Sequence, residues 1–245
     1  MQQTVDRLTS SEANRGKGYD HLVIYLHGGL VAPVDEAKRI AIWQQNDIFG
    51  RNNLYAFHLM WGSGFIDEVF GELSKSPAAG RAGGMFSDWI FEAGLGKEVG
   101  SYAWRNMKQD ARMAFTDIAG YNGGFRGLSP LFSGLDKATA HRPKLHLVAH
   151  SAGSIVLGYL LSSLKRFKLN NIELGGIHLM APACSVEFFH EHYGPYLKGQ
   201  GAKKLQDKIY LYNLSGDLEL KDKVSANFPL LPSYSRSLLY LVSRA

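Results

Sequence analysis

The chain has 245 residues, 45% of them hydrophobic and 20% charged, which suits one α/β domain with a sizeable core and excludes global disorder. Its formal net charge is +5, but the basic residues are scattered, the densest groups being Lys165, Arg166 and Lys168 and the pair Lys203 and Lys204, so no nucleic-acid-binding face is expected. The lone cysteine, Cys184, excludes an internal disulfide; the polar first twenty residues hold no apolar leader, and no apolar run reaches the about 18 residues of a membrane span. The expected location is cytoplasmic.

Residues 1–19 show no apolar period and read as a loose leader. The apolar run 21–26 (HLVIYL) predicts a strand buried on both faces, and it ends in His27-Gly28-Gly29. Residues 34–47 have helical spacing, and 53–61 predict a second strand. Residues 62–130 break this rhythm. Glycine-rich joints there separate helical pieces rich in large apolar residues, among them Phe65, Ile66, Trp89, Phe91 and a longer piece near 97–119. The stretch is too long for a plain connection and is expected to be a helical cap inserted in a single domain spanning 1–245.

The rhythm then resumes. Strands are predicted over 144–149, 175–181 and 208–213, helices over 154–164 and near 185–197, and a last helix from Ser235 to Ala245. Alternation of strands and helices predicts a mostly parallel sheet flanked by helices.

One junction carries chemistry. The strand ending Leu147-Val148 runs into Ala149-His150-Ser151-Ala152-Gly153, and an apolar helix follows at once. A serine on so sharp a strand-to-helix turn needs small residues two before and two after it. The turn lifts its hydroxyl above the sheet and sets the next amide, that of Ala152, at a helix N-terminus, where an oxyanion is stabilised. The plain alternative is a serine that caps a helix. The pattern resembles the G-x-S-x-G nucleophile elbow of the α/β-hydrolase superfamily, with Ala149 in place of the first glycine. His27-Gly28-Gly29-Leu30, about 120 residues earlier, resembles that family's oxyanion loop, with Leu30 where a third glycine is common. The likeness covers roughly residues 20–220 apart from the cap.

The resemblance implies an α/β-hydrolase fold and a serine hydrolase of carboxylic esters or related acyl compounds, with Ser151 as nucleophile and the amides of Gly28, Gly29 and Ala152 forming the oxyanion hole. Asp217, after the last strand, is the implied triad acid, with Asp222 as the nearby alternative. His150 is expected to be structural. The family places its histidine after the acid, yet the last histidine here is His192. Three expectations follow: a chain truncated at its C-terminus, with the histidine beyond Ala245; replacement by an upstream histidine such as His178, His190 or His192; or a non-catalytic binding or scaffold protein on the same fold. An acyltransferase would use the same site.

Cys184 lacks a paired histidine and reads as a small half-buried residue. No metal-ligand spacing, G-x-G-x-x-G or Walker A pattern occurs, so neither metal nor cofactor is expected. The expected partner is a small acyl substrate, apolar if the aromatic-rich cap lines the pocket.

Overall fold

In the computed structural model, the described residues are 1–9, 18–29, 33–62, 101–116, 120, 122–167, 169, 171–198 and 208–221. In chain order the elements are helix α1 (Gln2–Thr9), strand β1 (His21–Leu26), α2 (Pro33–Gln45), β2 (Leu54–Leu59), α3 (Ser101–Met113), α4 (Gly123–Lys137), β3 (Lys144–His150), α5 (Gly153–Ser163), β4 (Leu174–Met180), α6 (Val186–His192), α7 (Gly194–Leu197), β5 (Ile209–Tyr212) and α8 (Gly216–Glu219). The five strands form one parallel sheet in the order β2-β1-β3-β4-β5. The fold is therefore α/β, with helices flanking a parallel sheet.

The chain divides into two compact units. One comprises 1–61 and 111–212 and holds the whole sheet; the other comprises 62–110 and 213–245. Most of the expected cap (63–100) and the expected last helix (235–245) lie outside the described residues. Helix α4, which falls partly within the segment read as cap, belongs to the unit that holds the sheet.

Registers along the sheet explain the core. Leu22, Ile24 and Leu26 of β1 pair with Leu145, Leu147 and Ala149 of β3, and the latter two continue to Ile177 and Leu179 of β4. All eight side chains are fully buried. Helix α5 is apolar nearly all round and buried along its length, as a helix covered on every side must be. β1 is buried on both faces, as its uninterrupted apolar run predicts. β3 differs, alternating buried and half-buried residues, because polar His146 and Lys144 interrupt its second face.

The reading of 1–19 as a loose leader fails over its first half. Residues 2–9 form α1, whose Val5 and Leu8 are buried. Two apolar residues three apart make a one-stripe helix, a signal too short to stand out against polar neighbours.

Candidate functional site

From β1 the chain crosses outward to β2, then returns to β3 on the other side of β1. The β1/β3 boundary is therefore the point where strand order reverses, and in open parallel sheets ligands bind beyond the carboxyl ends of the strands at such a point. Two loops meet there: His27-Gly28-Gly29 after β1, and Ser151 after β3.

Ser151 has φ +50°, a left-handed conformation that costs a non-glycine residue roughly 1–2 kcal/mol. Backbone bonds hold it there. Its N–H donates to the Met180 carbonyl (2.9 Å), and its own carbonyl accepts from the amides of Ser154 (3.0 Å) and Ala183 (3.2 Å). The Ser154 hydroxyl donates to the same carbonyl (2.7 Å). The helix-capping role is excluded: the N-cap of α5 is Ala152, with no side-chain cap. Among the described residues no hydrogen bond engages the half-buried Ser151 hydroxyl.

The small residues flanking the serine are steric requirements. Ala149 is fully buried. A Cβ on Gly153 would lie 2.5 Å from the Leu26 carbonyl oxygen and 2.7 Å from that of His27, so only glycine lets α5 start against the end of β1. A Cβ on Gly28 would lie 3.3 Å from Ser151 Cβ and 3.0 Å from His150 Nδ1. The two loops thus touch, with Gly28 beside the serine. The Ala152 amide belongs to the first turn of α5, where amides lack intrahelical partners.

The β1 loop is set by His27, which is buried. The Trp61 amide donates to His27 Nε2 (3.2 Å), so Nε2 carries no proton. The proton sits on Nδ1 and is donated to the Gly28 carbonyl (2.8 Å). The Trp61 indole N–H donates to the His27 carbonyl (3.0 Å), and the two rings stack. With the Gly28 carbonyl turned toward the imidazole, the Gly29 amide across the same trans peptide points the opposite way. Sequence reasoning assigned His27 to this loop but missed Trp61, whose only signal was its place at the end of a strand.

A second unforeseen group lies under α2. Glu36, fully buried in its first turn, accepts from the Arg39 guanidinium and lies 3.2 Å from His58 Nδ1 on β2. Burial lowers the His58 pKa, opposed by the Glu36 hydrogen bond, and His58 Nδ1–H donates to the carboxylate. This is a carboxylate–imidazole pair, yet it cannot serve Ser151. His58 is level with Tyr25, and Tyr25 with Val148; three residues and two strand spacings make the backbone separation about 14 Å.

The remaining histidines fare as follows. His178 is level with Val148 on β4 and stacks on Tyr210 and Tyr212, its Nδ1 3.2 Å from the Tyr212 hydroxyl. His192 is buried, with Nδ1 2.7 Å from the Ser162 hydroxyl, which lies about 13 Å along α5 from its start. Neither is brought to Ser151. His190 is exposed in the last turn of α6. His150 has a buried Nδ1 without a hydrogen-bond partner among the described residues, and burial, then the Arg39 cation, lowers its pKa. Among the described residues no imidazole is hydrogen-bonded to Ser151.

Asp217 lies in the first turn of the four-residue helix α8, which Ser215 caps by accepting from the Leu218 amide. Its side chain is exposed, and it belongs to the second unit. Asp222 lies outside the described residues, as does Leu30. Cys184 follows β4; burial pushes its thiol pKa up, against a hydrogen bond with Ser154, so it is a poor nucleophile that packs beside the elbow. Among the described residues no three His, Cys, Asp or Glu side chains converge on a metal position, and no helix is long and apolar enough to cross a membrane.

Comparison with family models, with curated proteins and with solved structures finds no match for this chain.

Proposed function

We propose that the chain is the core of a serine hydrolase of the α/β-hydrolase type, acting on a carboxylic ester or related acyl compound. One observation carries the reading: Ser151 is held in a left-handed backbone at the switch point while its hydroxyl makes no hydrogen bond among the described residues. Backbone strain of this kind clusters at functional sites. Ser151 attacks the acyl carbon. The Ala152 amide at the start of α5 and the Gly28–Gly29 turn, oriented by His27, receive the developing oxyanion. The serine proton passes to a general base, the place that the resemblance gives to a histidine. Acyl transfer of this kind requires no cofactor.

The second reading is a binding protein on the same core. It is favoured by the lack of any imidazole hydrogen-bonded to Ser151 among the described residues. Fluorophosphonate labelling of the full chain separates the two. The hydrolase reading expects stoichiometric labelling that Ser151→Ala abolishes. A folded chain that does not label favours the binding protein, and labelling that persists equally after the substitution overturns Ser151 as the nucleophile.

A further inference from the structure

Away from the switch point, the C-terminal half of α2 and the start of β2 border a cavity of about 310 Å³. Tyr19, Trp43, Phe49 and Tyr55 wall it, and Arg7 and Asp47 stand at its border. The rings form two edge-to-face pairs from separate segments: Trp43 with Phe49, centroids 5.5 Å apart, and Tyr19 with Tyr55, 5.3 Å apart. All four are only half-buried, so the cavity presents aromatic surface to solvent.

The charges decide what this surface suits. Arg7 and Asp47 border one cavity, yet they do not pair with each other, and neither has an ion-pair partner among the described residues. Among the described residues the other titratable groups lining it are the two tyrosines and His58, whose pKa burial lowers. A hydrocarbon would leave both charges unused. A simple anion would meet Asp47, and a simple cation would meet Arg7. The complement of two opposite charges around edge-to-face aromatic rings is a molecule with a ring, a carboxylate and an ammonium. The carboxylate suits the planar guanidinium; the ammonium suits Asp47, just beyond the negative end of the α2 dipole. The volume lies at the small end for ligand sites, fitting one ring system.

We propose that this cavity binds a free aromatic amino acid, separately from the Ser151 site. The test is calorimetric titration of the full chain with L-tryptophan. Saturable one-to-one binding is expected, unchanged by Ser151→Ala. Arg7→Gln and Asp47→Asn should each weaken it about fivefold, the loss of one largely exposed charge pair. Both positions are exposed, and asparagine tolerates the φ of +47° at residue 47, so both variants should fold. Indole-3-propionate, which lacks the ammonium, should stay sensitive to Arg7→Gln and lose its sensitivity to Asp47→Asn; tryptamine should show the reverse. Absence of saturable binding by the folded chain, affinity unchanged in both variants, or indole binding as tightly as L-tryptophan would each overturn the proposal.

Discussion

At Ser151 the backbone conformation and the chemistry make separable predictions. Glycine adopts φ +50° without the Cβ clash. Ser151→Gly should therefore be more stable than Ser151→Ala by about 1 kcal/mol in urea denaturation, while both variants lose fluorophosphonate labelling. Equal stabilities would mean that the residue is unstrained. At Gly153 the steric case is stronger, since a Cβ would meet two backbone carbonyls at 2.5 and 2.7 Å. Gly153→Ala should cost about 2–3 kcal/mol and abolish labelling, because α5 cannot start where the elbow needs it. The small residues around the serine were legible from the sequence because their requirement is local and steric. The engagement of His27 with Trp61 was not, because it joins residues 34 apart whose types permit many other partners.

Among the elements, α2 stands out as the far anchor of the loop that follows β1. Glu36, Arg39 and His58 fasten its first turns to β2. Removing the carboxylate leaves a buried imidazole donor and a partly buried guanidinium without their acceptor. Glu36→Ala should therefore lower stability by about 2–3 kcal/mol, and a midpoint unchanged in thermal or urea denaturation would show that the cluster is not an anchor. On the sheet, His146 faces His21, its Nε2 3.1 Å from His21 Nδ1. Burial, then the charges of His21, His178 and two lysines, lowers its pKa to about 4. The unfolded chain binds that proton more readily, so the contribution of His146 to stability is present above the ordinary histidine pKa and is lost as pH falls from about 6.5 toward 4. His146→Gln should flatten stability over that interval; an unaltered profile would assign the acid sensitivity to another group. Each of the five strands was legible to within two residues, because apolar runs bounded by turn residues are strong signals. The polar second face of β3 was visible as His146 but could not be placed, since its neighbours His21 and His178 come from strands far apart in sequence.

For the whole molecule, the order β2-β1-β3-β4-β5 puts β1 and β3 in the interior of the sheet, with β2 and β5 at the edges of the described sheet. Amide hydrogen exchange should be slowest in β1 and β3, proceeding only through global unfolding, and faster in β5, whose Tyr210, Leu211 and Tyr212 are exposed. Comparable protection in β5 and β3 would contradict this ranking. Fold class was legible because alternation of strands and helices admits few arrangements. Strand order was not, since nothing local tells a chain leaving β2 to return on the opposite flank of β1, and that reversal is what brings Gly28 beside Ser151. The contact between Gly153 and the last carbonyls of β1 also limits how this protein can diversify. The Ser151 loop and its neighbouring glycine turn are wedged together through main-chain atoms, which no side-chain substitution can resize. Under the proposed hydrolase reading, a mutagenesis library aimed at new substrates would waste its members at positions 28, 149 and 153, and productive variation would have to come from residues whose backbones lie clear of that wedge.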